Sequence, residues 1–541
     1  MKFHGRFHHA TLGKYGMVAA AHPLAALEGV KALQEGGNAM DACLTMAGVT
    51  SVVLPDMCGL GGDAFFLYYD KRSGTVTGVG SSGTAGDAAT IEHFASSALN
   101  LMPQEGILSV AVPGAPLAFS EAAMRFGTWK LERAFAPAIR IAQEGFVISP
   151  LLHHNIREQA EKLRRYGEGA RVFLPGGKVP AVGEILYQPD LAKTLTEFAA
   201  GGSTWFYDGP FAAGFYQLNE ATGGLFTGAE FKRHSLEVYE PLATTYRGYT
   251  VYENAPVSQG FTLLEELNIV EPAPLSEMDP LGAECVHLMV EAVKLAFEDR
   301  NRYAGDPKAT GFDVDKLISK EWARERLAGI NRATAKQDRY TPYGPSEGDT
   351  TIFVAVDEAG NACVFIHSIA FNFGSGVVVP GTGVVLNNRA GRSFNLVPEH
   401  PNSLAPGKKP MHTLNCYMVF QDKDLYLAGG TFGGDGQPQW NLQILSLILD
   451  HGAGPQEAVD FPRWLSFPGT DMINLDKPYE LQLESRFPGA TLSALSQKGH
   501  KVVQRGPWEG GGGAQIIMVD PETGLLVGAS DHRVEGLAIG I

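Results

Sequence analysis

The sequence predicts a mixed helix-and-sheet protein of the α+β class, with central strands covered on both faces. Three observations carry this. The runs TTIFVAVD (residues 350–357) and ACVFIHSI (362–369) are rich in β-branched or aromatic residues, and the first is apolar on both alternating faces, the pattern of a central strand covered on each side. Amphipathic stretches with helical spacing lie upstream of them, and one apolar helix lies downstream. The chain has 541 residues, of which 44% are hydrophobic, enough for a large core.

The elements follow in order. Residues 22–53 read as two helices, the first ended by Gly36 and Gly37, the second capped by Asn38. GLGGDAFFLYYDKRSGTVTGVG reads as strand, turn at Arg72-Ser73-Gly74, and strand. PLAFSEAAMRFG and LERAFAPAIRIAQEGF are amphipathic helices, residues 281–303 form a long one, and a polar helical segment runs to about Lys336. DRYTPYGPSEGD then breaks regular structure with Pro342, Gly344, Pro345 and Gly348. Beyond the 350–369 hairpin come further strands, Gly-rich turns and an apolar helix near 442–449.

The net charge of −16 argues against nucleic acid or an anionic membrane surface as partner. No run of about 18 apolar residues predicts a membrane span. Five dispersed cysteines without a CxxC pair read as reduced thiols, and the start MKFHGRFHH has no apolar h-region, so a cytoplasmic location is expected. His367, His400 and His412 lack metal-ligand spacing; neither a metal nor a cofactor is expected.

The candidate chemistry centres on Thr350. Cutting the Asp349–Thr350 bond would place a hydroxyl and a free α-amine on one residue, and an amine titrating near pH ~8 can take the hydroxyl proton. If Asp357 pairs with Asn361 across the turn, Thr350 falls opposite Ser368, within about 5 Å. A plain buried hairpin whose Thr and Ser satisfy each other explains the same pattern. Gly433 and Gly434, in GGTFGGDGQPQ, offer bare backbone N–H groups for an oxyanion, or simply a tight turn before a helix. Arg389 and Arg392, in LNNRAGRSF, suit a substrate carboxylate, or are solvated loop arginines.

EGGNAMDA, GLGGDAFFLYYD, SVAVPGAPLAF, VKLAFEDRNRYAGDP, DTTIFVAVDEAGNACVFIHSI, FGSGVVVPGTGVVLNN and GASDHRVEGLAIG resemble, in this order, the γ-glutamyltranspeptidase family of N-terminal nucleophile hydrolases. The resemblance spans almost the whole chain. It implies a four-layer αββα sandwich and self-cleavage before Thr350. The portions 1–349 and 350–541 would stay interwoven as an αβ heterodimer, with a dimer of heterodimers as a further option. It implies Thr350 as nucleophile, Ser368 in place of an orienting threonine, and Gly433 and Gly434 as the oxyanion site.

The departures define the expected specificity. The family's arginine for a substrate α-carboxylate has no counterpart in SSGTAG (81–86). The asparagine of its SIN motif becomes Ala370, its NNQMDDF becomes NNRAGRSF with Asn388, Arg389 and Arg392, and its paired serines become His412 and Thr413. Losing an acid that pairs an α-ammonium costs on the order of 3–5 kcal/mol. The pattern resembles a branch containing oxamate amidohydrolases and cephalosporin (glutaryl) acylases. The shortened stretch 394–408 implies an open pocket. The expected activity is therefore hydrolysis of a small-molecule amide whose acyl part carries a carboxylate, with Asn388, Arg389, Arg392, His412 and Thr413 lining the substrate. The alternatives are a γ-glutamyl hydrolase or transpeptidase acting on glutathione-like substrates, and an uncleaved, non-catalytic homologue.

Overall fold

The structure, a computed structural model, describes residues 9–96, 101–337, 349–467 and 479–541. The expected cleavage loop, 338–348, lies outside these.

Fourteen strands build two seven-stranded sheets. In chain order they are β1 (Thr11–Gly13), β2 (Met17–Ala20), β3 (Asp63–Asp70), β4 (Thr75–Ser81), β5 (Glu237–Tyr239), β6 (Leu242–Tyr246) and β7 (Tyr249–Glu253). Then follow β8 (Asp349–Val356), β9 (Ala362–Ala370), β10 (Tyr417–Gln421), β11 (Asp424–Phe432), β12 (Gly513–Val519), β13 (Leu526–Ser530) and β14 (Leu537–Gly540). The first sheet runs β1-β13-β12-β11-β10-β7-β6 and the second β14-β2-β8-β9-β3-β4-β5, both antiparallel.

The sheets stack on each other and carry helices outside, because their strands are apolar on both faces. Along β10, Tyr417 and Val419 join one core with helices α4 (Gly260–Val270), α5 (Ala283–Tyr303) and α6 (Gly436–Leu449), while Met418 and Phe420 join the other. Between the sheets the spacing is tight at Gly430, where a Cβ would come within 2.6 Å of Ile352. On the far face of the second sheet lie α1 (Pro23–Gln34), α2 (Ala39–Val53) and α3 (Leu131–Glu144). These are the four expected layers.

The β8–β9 hairpin keeps the expected register from Val356↔Ala362 to Thr351↔His367, with Gly360 at φ +83° in its turn. It then departs from it. Asp349 pairs with Ala370, so Ser368 and Ile369 together oppose Thr350 in a β-bulge, a device that re-aims side chains. The opposite end is pinned by Asp357, whose carboxylate accepts from Ala39 N–H (3.0 Å) at the start of α2 and from Asn361 N–H (2.9 Å). Asn38 caps α2 as expected, in a reciprocal pair with Asp41.

Two expectations on helices need correction. The polar segment after 303 is three short helices, Pro307–Thr310, Val314–Leu317 and Lys320–Ala328, because Asp306, Asp313 and Ser319 each cap a new start. The downstream apolar helix begins at Gly436, not near 442; Pro438 is tolerated there because first-turn N–H groups have no intrahelical acceptor.

His367 faces away from Ser368 into a ring-lined core of Phe119, Phe353 and Phe365, with Thr50 Oγ1 2.9 Å from Nε2. Burial pushes its pKa down to about 3. The unfolded chain therefore binds a proton that the folded one refuses between about pH 6.5 and 3, and stability must fall as pH falls through that window, by up to about 1.4 kcal/mol per pH unit per such group. We predict that His367→Phe weakens the drop in melting temperature between pH 7 and pH 5. An unchanged pH dependence would contradict this assignment.

Candidate active site

Thr350, the second residue of β8, is wholly buried, as is Ser368. Its Oγ1 donates to Ser368 Oγ at 3.2 Å, and Ser368 Oγ accepts the Ala370 N–H at 2.8 Å. In the uncut chain Thr350 is an interior strand residue, with Asp349 still paired to Ala370.

Ala370 adopts φ +85°, a region costing a Cβ-bearing residue about 1–3 kcal/mol. The Ser368 bond and Arg392, whose Nη1 donates to Ala370 O at 3.2 Å, hold it there. Asn388 completes the turn. Its Oδ1 accepts from Phe371 N–H (3.1 Å) and its Nδ2 donates to Gln104 O (2.8 Å), so both ends of the amide serve backbone and the side chain shapes the loop.

Asp63 stands directly across from Ser368 in the β3–β9 pairing. Its Oδ2 accepts from His412 Nε2 (3.0 Å) and Arg389 Nε (3.4 Å), and its Oδ1 from Gly83 N–H (3.2 Å). Arg389 Nη2 lies 3.5 Å from Ser368 Oγ, linking the acid to the partner of Thr350. All of these side chains are buried. Burial alone raises the Asp63 pKa, but the His412 bond and the Arg389 charge outweigh it and hold the carboxyl below its ordinary range. His412 goes down to about 3, through burial and then the nearby Arg389. It is the neutral tautomer with Nδ1 accepting from Leu414 N–H (3.1 Å) and Nε2–H on Asp63. Neither arginine is the solvated loop residue that the sequence also allowed. Arg389, expected to clamp a substrate, spends one edge on a protein carboxylate.

Arg392 lies over the Phe371 ring at 4.7 Å. With Thr413 it borders a cavity of about 30 Å³. Thr413 is buried, and its Oγ1 has no hydrogen-bond partner among the described residues. The Gly433-Gly434 loop enters α6 with φ of +126° and +58°; a Cβ on Gly433 would meet Trp440 at 2.4 Å. The N–H groups of Gly433 and Gly434 have no acceptor among the described residues. Gln259 binds this loop to the Thr413 segment, its Nε2 donating to Gly434 O (3.0 Å) and Thr413 O (2.7 Å).

Sequence reasoning missed Asp63 and Gln259. Asp63 was detectable as the single acid opening an apolar strand; Gln259 left no signal. His367 is a core residue, and His400 ties a turn to α5 by Nε2 on Asn301 O at 2.9 Å. One acid–histidine group with ligand atoms within 4.8 Å, His287, Glu291 and His500, occurs among the described residues. There Lys294 Nζ sits 2.7 Å from Glu291 and supplies the positive charge a cation would bring.

Two stacked antiparallel sheets with helices outside them are the architecture of the N-terminal nucleophile hydrolases. Residues 25–541 match the family described as Gamma-glutamyltranspeptidase. The glutathione hydrolase-like YwrD proenzyme of Bacillus subtilis strain 168 is 34% identical over 98% of this chain and 99% of its own. The oxamate amidohydrolase proenzyme of Klebsiella pneumoniae is 33% identical over 98% of this chain and 100% of its own. The crystal structure of cephalosporin acylase from Bacillus halodurans superposes with a TM-score of 0.91 at 34% identity, covering 100% of this chain and 98% of that one. The chain belongs to the γ-glutamyltranspeptidase family.

Asp63→Asn leaves Arg389 without its buried anion and should cost on the order of 3–5 kcal/mol, read as a fall in melting temperature. Ser368→Thr, which keeps the hydroxyl, should self-cleave at a rate close to wild type, and Ser368→Ala at least ~10-fold more slowly. Equal rates in a time course on denaturing gels would remove Ser368 from the mechanism.

Proposed function

We propose that this protein is a self-processing threonine amidohydrolase that cleaves amides whose acyl group carries a carboxylate. The observation that carries this reading is the buried Thr350–Ser368 pair, joined through Ala370 to Arg392 at the border of a small cavity. In the processing step the Thr350 hydroxyl attacks the Asp349 carbonyl carbon, and the C–N bond between them breaks. The acyl group moves to Oγ1, the proton goes to the freed Thr350 amine, and water then opens the ester. The division between 1–349 and 350–541 is supported by the interleaving of the sheets. Strand β8 lies between β2 from the first portion and β9 from the second.

In turnover, the Thr350 amine accepts the hydroxyl proton as Oγ1 attacks the substrate carbonyl. The N–H groups of Gly433 and Gly434 receive the developing oxyanion. The amine leaves with the proton, and water or an acceptor amine releases the acyl group from Thr350. Ser368 holds the hydroxyl in line. Arg392 and Thr413 are the proposed ligands of the acyl carboxylate, and Arg389, with His412, acts by fixing Asp63 and Ser368. No helix among the described residues is long and apolar enough to cross a membrane. Five buried free thiols support a reducing, cytoplasmic setting.

The test is a substrate pair that differs only by an α-ammonium: glutaryl-p-nitroanilide and γ-glutamyl-p-nitroanilide. The expected result is a kcat/KM at least ~10-fold higher for the glutaryl compound, about 1.4 kcal/mol of discrimination. Preference for the γ-glutamyl compound would overturn the reading and favour a glutathione-type hydrolase.

A further inference from the structure

One indole is packed against the proposed oxyanion loop. Trp440, early in α6, is 3% exposed. Helical side chains lean back toward the N-terminus, so its ring lies over the first turn and the loop before it. A Cβ built on Gly436, four residues earlier, would stand 2.3 Å from Trp440 Cη2, and one on Gly433 2.4 Å from Cζ3. The same ring meets a second glycine run. Phe432 pairs with Gly513 where β11 meets β12, so the loop after one strand lies beside the segment before the other. A Cβ on Gly512 would meet Cζ3 at 2.4 Å, and one on Gly511 would meet Cζ2 at 2.9 Å. All four contacts are made by the six-membered ring.

The second glycine run is anchored. Arg463 Nη1 donates to Gly511 O at 3.0 Å, and Gly510 N–H donates to Glu484 Oε1 at 3.0 Å. Both side chains are buried and paired, Arg463 with Asp531 at 2.6 Å and Glu484 with Arg533 at 2.7 Å. In the oxyanion loop the bonds from outside fall on carbonyl groups: Gln259 holds Gly434 O, and Gln439 Nε2 donates to Asp435 O at 3.1 Å. The direction of the Gly433 and Gly434 N–H groups is left to the backbone angles, and the ring is the side chain in closest contact with Gly433. Trp440 Nε1–H has no hydrogen-bond partner among the described residues, so the indole serves here by its shape. We infer that Trp440 is a positioning residue for catalysis: its ring, packed between Gly433-Gly436 and Gly511-Gly512, aims the two N–H groups proposed to receive the oxyanion. This deepens the amidohydrolase reading above and rests on it.

The test is a cycle of Gly436→Ala, Trp440→Phe and the double variant. Both kcat and KM are measured per processed chain, on whichever of the two anilides wild type cleaves. The backbone at Gly436 is outside the left-handed region, so an alanine there meets only the ring and pushes it against Gly433 and Gly512. Phenylalanine lacks the outer ring carbons that crowd this point. Each single variant should lower kcat about 10-fold with KM unchanged, because oxyanion donors act in the transition state. In the double variant the added methyl enters the space that the smaller ring leaves, and kcat should exceed that of both single variants. A ring that only fills the core would lower the melting temperature and leave kcat per processed chain at the wild-type value. That result, or losses that simply multiply in the double variant, overturns the inference. If Gly436→Ala does not fold, Trp440→Phe decides by the same split between kcat and KM. Wild type cleaving neither anilide sinks the amidohydrolase reading and the inference with it, whereas an active wild type with unaffected variants sinks the inference alone.

Discussion

The site depends on a single buried carboxylate. Asp63 accepts from Arg389, His412 and the Gly83 backbone, with no solvent to share the load. An unpaired charge at that depth is untenable, so the three donors and the acid define one another's positions. Because Asp63 lies across from Ser368 in the sheet, this cluster is locked to the strand that carries the hydrogen-bond partner of Thr350. Arg389 extends the lock to Ser368 itself, and Ser368 fixes both Thr350 and the strained Ala370 turn. A hydroxyl proposed to attack its own upstream peptide bond would need such rigidity, since small misplacements are costly in a near-attack geometry.

The two layers of sheet give this cluster its dryness. Strands apolar on both faces exclude water from the hairpin, and the bulge at Ser368-Ile369 is the local irregularity that turns side chains toward the cluster. The same burial keeps His412 neutral, so it donates to Asp63 as an oriented dipole and adds no third charge to the Asp63–Arg389 pair.

Much of this was legible in the sequence. The hairpin register followed from its turn, the α2 cap from Asn38, and the layered fold from strands lacking a polar face. The bulge was not legible, because a count of residues across a turn assumes an unbroken ladder. Nor was the engagement of Arg389. Residue types near a strand end indicate that a guanidinium is available, but Asp63 comes from a strand more than three hundred residues earlier and meets it only through sheet pairing. The cavity bordered by Arg392 was hidden for the same reason. Its walls come from α5 and from the loop after β9, segments that no local pattern connects.

In the proposed mechanism Thr350 is the residue this framework prepares, first to cut its own chain and then to carry the acyl group. Intact-mass spectrometry with N-terminal sequencing of the purified protein tests it directly. The expected result is two fragments, the second beginning at Thr350, and a single full-length species for Thr350→Ala. An uncut wild-type chain, a second fragment beginning elsewhere, or cleavage in the Thr350→Ala variant would contradict it.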